Sequence, residues 1–304
     1  SVFTGGGTPS LLDASDMERI MAALRDRFEF SENAEITIEA NPGTLSSDKL
    51  EIYRAAGINR LSLGLQSADN RELQILGRIH TYEEFLESYE LARAAGFDNI
   101  NIDLMSAIPE QTCEKWIHNL KTAAELKPEH ISAYSLIVED GTPFARRELK
   151  LPGEDEEYQM YEDTADILKR YGFEQYEISN YAKEGYECKH NIVYWKCDNY
   201  LGLGPGASGY INNYRYSNIC DIKEYNKCLE YNKKPIEEKN VLSKKDEMEE
   251  FIFMGLRMNE GINLDEFYEK FNVNFKHKYN NILDKLKNLN LIIEQNNNIA
   301  LTQR

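Results

Sequence analysis

Short apolar strands and amphipathic helices alternate from residue 1 to about 138, and this alternation dictates βαβ units and a parallel sheet. Five strands are read, and each ends in residues that a buried strand would not choose. Ser1-Val2-Phe3-Thr4 runs into Gly5-Gly6-Gly7-Thr8-Pro9, and Ile36-Thr37-Ile38 runs into Glu39, Asn41 and Pro42. Leu61-Ser62-Leu63-Gly64-Leu65 leads to Gln66-Ser67, Asn99-Ile100-Asn101-Ile102 to Asp103, and Ile131-Ser132-Ala133-Tyr134 to Ser135. In parallel α/β sheets and barrels, ligands bind at the carboxyl ends of the strands. A polar cluster at every strand end therefore reads as the rim of a binding site. The three consecutive glycines sharpen this. They bury nothing and cost backbone entropy, but they let bare N–H groups come close to a ligand.

The helices between the strands carry readable starts and stops. Asp13 or Ser15 opens a run through Ile20, Met21, Leu24 and Phe28, and Ser46 opens one through Leu50, Tyr53 and Ala56 that stops at Gly57. Thr81 opens a third, through Phe85, Tyr89 and Ala92 to Gly96, and Thr112 a fourth, through Trp116, Leu120 and Leu126. A Gly- and Pro-containing excursion over 139–153 precedes an acidic helix over about 154–171 and an extended piece over 173–178. Residues 183–240, rich in Tyr, Asn and Gly, read as an irregular connection. Beyond it come three helices, near 246–258, after Gly261 and over 279–289, then a hairpin of 291–294 with 299–301 around an Asn-rich turn. Phe251, Met254 and Met258 fall on one face of the first of these helices and read as core. The expected domains are 1–182, 183–240 and a winged-helix-like module over 241–304.

Charge narrows the partners. A formal charge of −17 argues against a general nucleic-acid or anionic-membrane surface, because phosphate binding rests on Lys and Arg. In the C-terminal module, ten Lys or Arg balance ten Asp or Glu from Lys239 on, so a DNA-reading wing lacks its basic face. A structural or lid role is expected there. Although 41% of the residues are hydrophobic, no run approaches the roughly 18 apolar residues of a membrane span. No basic-then-apolar leader opens the chain, and a cytoplasmic location is expected. Cys113, Cys188, Cys197, Cys220 and Cys228 are an odd set, expected as free thiols in that compartment. The chain starts with Ser inside a strand and stops in a hairpin, so both ends look cut.

The ordered set Gly5-Gly6-Gly7-Thr8-Pro9-Ser10, Glu39-Ala40-Asn41-Pro42-Gly43, Gly64-Leu65-Gln66-Ser67, Gly77-Arg78-Ile79-His80 and Asp103-Leu104-Met105 carries a resemblance. It resembles the radical S-adenosylmethionine proteins of the oxygen-independent coproporphyrinogen III oxidase family. His190-Asn191-Ile192-Val193-Tyr194-Trp195 resembles the His-Asn-x-x-Tyr-Trp motif of that family's haem-chaperone branch. Tyr176-Glu177-Ile178-Ser179-Asn180-Tyr181-Ala182 before it and Tyr200-Leu201-Gly202-Leu203-Gly204-Pro205-Gly206-Ala207 after it fit the same branch. The likeness spans nearly the whole chain. It implies an α/β fold: a partial parallel (β/α)6 barrel of the radical-SAM type, first strand missing, with a C-terminal winged-helix-like α+β module.

The resemblance also implies S-adenosyl-L-methionine and a [4Fe–4S] cluster. The family's Cys-x-x-x-Cys-x-x-Cys motif has no counterpart, for the five cysteines lie 75, 9, 23 and 8 positions apart. Such a cluster needs three thiolates and one open iron. No metal ligand is assigned in this chain, and the cluster cysteines are expected upstream of Ser1. By the same likeness, Gly6, Gly7 and Thr8 meet the cofactor's methionyl amino and carboxylate groups. Glu39, Gln66, Arg78 and Asp103 supply the acceptors and the guanidinium that a sulfonium with ribose and carboxylate requires. Ser135 would line the same pocket. Singly, Arg78 would read as a surface ion pair, Glu39 as a helix-cap partner and Ser135 as a turn cap. His190 is the expected haem-related residue, with Tyr194 and Trp195 offering flat faces and Cys188 and Cys197 as alternative soft ligands. His80, His118, His130 and His277 read as structural, and no catalytic residue is assigned. The function implied is to bind haem and deliver it to haem-accepting proteins, with peripheral contact to membrane haem proteins and no nucleic acid. The alternative is enzymatic, the oxidative decarboxylation of coproporphyrinogen III.

Overall fold

A computed structural model describes residues 1–142 and 144–302. The chain divides into two compact units, one ending at His190 and the other beginning at Asn191. In the first unit β1 (Val2–Thr4), β2 (Ile36–Ala40), β3 (Arg60–Gln66), β4 (Ile100–Ser106) and β5 (His130–Ser135) pair in chain order, all parallel. The crossovers carry α1 (Ala14–Arg27), α2 (Ser47–Ala55), α3 (Asn70–Ile75), α4 (Tyr82–Ala94) and α5 (Cys113–Glu125). Side-chain hydroxyls just before the first turn start three of them. Ser46 and Thr112 accept from the backbone N–H of Lys49 and Lys115, and Thr81 and Glu84 cap α4 reciprocally. Helix α6 (Glu154–Arg170) then leads to β6 (Glu174–Glu177) and β7 (Asn180–Ala182). These form a hairpin, and β7 lies antiparallel to β5, so the sheet has seven strands with β1 and β6 as its edges. The extended piece expected over 173–178 is half of this hairpin.

The two faces of the parallel strands differ. Ile36, Ile38, Leu61, Leu63, Leu65, Ile100, Ile102, Leu104 and Ile131 join one core with Met17, Met21, Tyr53, Phe85, Trp116 and Leu120 of the helices. Burying each such Leu or Ile contributes roughly 1.5–3 kcal/mol. The alternate positions are Thr37, Arg60, Ser62, Asn101, His130 and Ser132, all buried and all polar. The register sets Ser62 beside Asn101, Asn101 beside His130, and Asp103 beside Ser132. Parallel sheets are usually apolar on both faces. This polar face leads to the strand ends where the candidate ligand residues stand.

Helix α7 (Lys189–Trp195) crosses the division between the units. Residues 183–240, expected to be irregular, then hold β8 (Ser208–Ile211), β9 (Tyr214–Asn218), α8 (Ile222–Glu230) and β10 (Ile236–Val241), with the strands in an antiparallel sheet of order β10-β9-β8. The Asn richness misled: Asn212 and Asn213 adopt φ of 48° and 64°, the left-handed pair that closes a two-residue hairpin. The last module comprises α9 (Lys244–Gly255), β11 (Ile262–Asn263), α10 (Leu264–Phe271), α11 (Phe275–Asn288), β12 (Ile292–Gln295) and β13 (Asn298–Leu301). Its core gathers Met248, Phe251, Phe267, Phe271, Phe275, Leu283, Ile292 and Ile299. Three helices and a hairpin are as expected, with β11 added to the sheet. Among the described residues, no helix is long and apolar enough to cross a membrane.

Candidate functional site

The glycine loop after β1 is shaped by Glu39. A β-carbon on Gly5 would lie 2.9 Å from Glu39 Oε2 and 2.7 Å from Phe3 Cε1, so a side chain there would displace one or both. The Gly6 N–H donates to the same carboxylate oxygen at 3.1 Å. At Gly7 a β-carbon would meet no heavy atom within 4 Å, so its backbone faces open space. Thr8 is engaged locally, its hydroxyl accepting from Asn41 Nδ2 at 3.1 Å. Asn41 also reaches, with Gln66, over Gly64: a β-carbon there would lie 3.2 Å from both side-chain amides. Gln66 itself has φ of 70°, where the β3–β4 register slips. The turn that follows is pinned by buried Glu72, which accepts from Ser67 Oγ (2.7 Å), Asn119 Nδ2 (2.8 Å) and Gln111 Nε2 (3.0 Å).

Glu39, Arg78 and Asp103 come together electrostatically. Burial raises the Glu39 carboxyl, the Gly6 bond opposes this, and the Asp103 charge adds to it. Burial lowers the Arg78 guanidinium while Asp103 raises it. Burial raises Asp103 too, against Asn101, Arg60, Ser62 and Ser132. Two carboxylates held above their ordinary range and one guanidinium, beside the glycine loop, can receive an ammonium, a carboxylate and hydroxyls together. Ser135 stands apart from this exchange, its hydroxyl donating to Glu157 on α6.

Asp103 is positioned by the polar face. Asn101 Nδ2 donates to Asp103 Oδ1 and to Ser62 Oγ, both at 2.7 Å, and the Ser62 hydroxyl turns to Asp103 Oδ2 at 3.3 Å. With its amide nitrogen committed, Asn101 presents Oδ1 to His130 Nδ1 at 2.6 Å. The imidazole, fully buried and with its pKa driven well down by that burial, is neutral and donates there. Its Nε2 then accepts from Tyr176 OH at 2.9 Å, and that phenol accepts from the Cys188 N–H at 3.3 Å. His80 is likewise held inside the fold, buried with Nε2 3.3 Å from the Leu65 carbonyl.

His190 is fixed by Glu35. The Glu35 carboxylate accepts from the backbone N–H of Lys189 (3.0 Å) and of His190 (3.1 Å), while Cys188 Sγ lies 3.6 Å from it. The His190 ring stacks on Phe3 with centroids 4.9 Å apart and planes 16° off parallel. Burial lowers its pKa to about 4, against the Glu35 charge. Tyr194 and Trp195 fall in the second unit, Tyr194 edge-on to Tyr200 at 4.6 Å and Trp195 under the Arg257 guanidinium at 4.2 Å. Cys197 is in that unit as well, its thiol pushed up to about 11 by burial. A protonated thiol is a poor soft ligand.

Residues 1–123 match the Radical SAM superfamily and residues 242–304 the HemN C-terminal domain. The chain is 40% identical to the heme chaperone HemW of Lactococcus lactis, over all of this chain and 81% of that protein. It is 36% identical to the heme chaperone HemW of Bacillus subtilis, over all of this chain and 82% of that one. This chain belongs to the HemW family of haem chaperones. Among solved structures, coproporphyrinogen III oxidase (HemN) of Escherichia coli, a radical SAM enzyme, matches with a TM-score of 0.84 at 25% identity, over 99% of this chain and 73% of that one. The HemW scaffold is therefore of the radical-SAM type, α/β with a mainly parallel sheet.

The residues of this HemW-family chain fit one implied group and not the other. The cradle at Gly5–Gly7, with Glu39, Arg78, Asp103 and Gln66 around it, matches the donor and acceptor needs of S-adenosyl-L-methionine. For an iron–sulfur cluster the described residues do not fit: the five cysteines form no disulfide and are scattered, and no three metal-ligating side chains gather among the described residues. Glu72, Glu35, Phe3 and the bonds that join Asn101, His130 and Tyr176 are not legible in the sequence. Asn41 is, standing in the same strand-end cluster as Glu39.

Proposed function

We propose that this chain binds haem through the segment beginning at His190 and passes it to haem-accepting proteins, while its glycine loop holds S-adenosyl-L-methionine. The observation that carries the haem reading is the state of His190. Its backbone is anchored by Glu35 and its ring is kept neutral by burial, the form in which an imidazole nitrogen can bind iron without first losing a proton. Tyr194 and Trp195, following in α7, supply aromatic surface for a macrocycle. For the cofactor, the backbone of Gly6 and Gly7 with Thr8 and Arg78 would take the methionyl end, and Glu39, Gln66 and Asp103 would take the amine and ribose. Ser135 is the outermost member of that proposed set. When bound beside a reduced iron–sulfur cluster, such a cofactor supplies one-electron chemistry, with the protein contributing binding and orientation. Acceptors, including membrane haem proteins met peripherally from the cytoplasm, belong to the same proposal.

The likeness to HemN supports a second reading, decarboxylation of coproporphyrinogen III. Titration with haem and, separately, anaerobic incubation with coproporphyrinogen III distinguish the two. Haem should produce a shifted Soret band that changes in His190→Ala while circular dichroism shows the fold intact, and coproporphyrinogen III should be returned unaltered. An unshifted Soret band together with decarboxylated product would overturn the chaperone reading.

A further inference from the structure

On the polar face of the sheet, two neighbouring rows of side chains are satisfied to different degrees. In one row Ser62, Asn101 and His130 bond one another, with Asn101 and Ser62 also reaching Asp103. The row toward the amino ends of the strands holds Thr37, Arg60 and Asn99. Thr37 and Arg60 are register partners on β2 and β3. Asn99 stands on the other side of Arg60, just before β4, its carbonyl accepting from the Leu61 N–H at 3.1 Å. Here Thr37 Oγ1, Arg60 Nε and Asn99 Oδ1 are all buried without a hydrogen-bond partner among the described residues. Each such atom costs about 1–3 kcal/mol, and more when it is charged. Three in one row are more than a native fold usually carries. The carboxylates of this region are committed elsewhere. Asp103 lies opposite Gly64, two rows higher, and Glu35 accepts from the Lys189 and His190 N–H groups. Burial lowers both His130 and His190, and the Arg60 charge reinforces it at each.

We infer that Thr37, Arg60 and Asn99 form a binding site for one small hydroxylated oxyanion of the size of bicarbonate. The three side chains set the chemistry between them. The guanidinium only donates and carries a full charge, so the occupant must accept and be negative. The Asn99 carbonyl oxygen only accepts, so the occupant must also hold a proton. The Thr37 hydroxyl does either. Bicarbonate offers anionic oxygens and one O–H, whereas chloride and nitrate have no proton to give and water has no charge. Burial sets the size. Thr37 is 0% and Arg60 2% exposed, so a free ion suits the row and a carboxylate fixed to a macrocycle does not. The site is separate from the glycine loop and from the segment at His190, and it depends on neither the cofactor nor the haem reading.

The test uses the whole chain in carbonate-free buffer at pH 8, without haem or S-adenosyl-L-methionine. Sodium bicarbonate is added against sodium nitrate and sodium chloride at equal ionic strength. Once the site is filled, bicarbonate should raise the thermal midpoint by about 3 °C for each tenfold increase in concentration. Calorimetry should find one ion bound per chain. Nitrate, as flat and as small but without a proton, should leave the midpoint where chloride does. Thr37→Val keeps the shape of the side chain and removes its hydroxyl, and should weaken bicarbonate about tenfold. Arg60→Met should abolish the response; if that variant does not fold, Thr37→Val carries the comparison. A wild-type midpoint indifferent to bicarbonate would overturn the inference and leave the row to water alone. A response undiminished in the variants would make it a general salt effect and overturn the inference equally. Nitrate acting as strongly as bicarbonate would overturn the requirement for a hydroxyl.

Discussion

The glycine loop after β1 and the glycine loop before β8 are alike in composition and differ in what surrounds them. At Gly6 and Gly7 a β-carbon would meet nothing within 4 Å. At Gly202 it would fall 2.2 Å from the Ser208 carbonyl oxygen. The backbone of the second loop is also taken by its own unit. Gly202 N–H donates to Tyr216 OH at 3.0 Å, Gly204 N–H to Tyr225 OH at 3.1 Å, and Asn218 Nδ2 donates to the Gly204 carbonyl at 3.0 Å. In the first loop the bond from Gly6 to Glu39 ends on a charged side chain at the site itself. A glycine run announces that something comes close to the backbone. Whether that is a ligand or another stretch of the same chain depends on neighbours that are remote in sequence.

The largest effect expected from this contrast is in the second loop. Gly202→Ala forces a methyl group into a backbone carbonyl that is itself part of a sheet, so relief must come from moving β8. Overpacking of this kind costs about 3 kcal/mol. Urea unfolding should show a clearly lowered midpoint, with faster amide exchange across β8 and β9. A midpoint equal to wild type would mean that the second loop is as open as the first.

The converse substitution should act on binding and spare the fold. Gly7→Val places its side chain in open space, so stability should stay within about 0.5 kcal/mol of wild type. Affinity for S-adenosyl-L-methionine should fall about tenfold, or 1.4 kcal/mol, because the methyl groups keep a ligand off the backbone N–H. Calorimetry and urea unfolding on the same preparation check both halves. Lost stability with undiminished affinity would make the first loop structural, like the second.

Much of the fold was legible because it is encoded locally. Ser46, Thr81 and Thr112 cap the helices they were read to cap, and the five strand ends fall where their polar residues stand. The candidate site was legible only in part. Glu39 and Asp103 could be named from the strand ends and Arg78 from the resemblance, but not the residues that hold them. The polar face of the sheet was present in the sequence as every second residue, Arg60, Ser62, Asn101, His130 and Ser132, and was obscured by the apolar residues between them. The contacts of Glu35 with Lys189 and His190, and of Phe3 with His190, join positions more than 150 residues apart. Periodicity specifies which face a side chain takes, not which distant partner it meets. The β6–β7 hairpin was missed for the same reason, since the antiparallel return of β7 is set by its pairing with β5.

The smallest effect concerns pH and again separates the two regions. His190, stacked on Phe3 beside the first loop, has its pKa lowered by burial to about 4 from an ordinary 6.5, with the Glu35 charge opposing and the Ser1 amino group and Arg60 reinforcing the shift. Between these values the unfolded chain binds a proton that the folded chain does not. The stability due to the neutral imidazole is therefore complete above about pH 6.5 and is lost as pH falls toward 4. The ring is partly solvated, so the loss between pH 7 and 5 should be only about 1 kcal/mol. His190→Asn cannot titrate there. The stability difference between wild type and this variant should shrink by that amount over the interval, while the penalty of Gly202→Ala stays constant. Urea midpoints of the three proteins at pH 7, 6 and 5 provide the comparison. A pH-independent difference for His190→Asn would show that burial does not hold the imidazole neutral, and His190 would lose its standing as a nitrogen ready to bind iron.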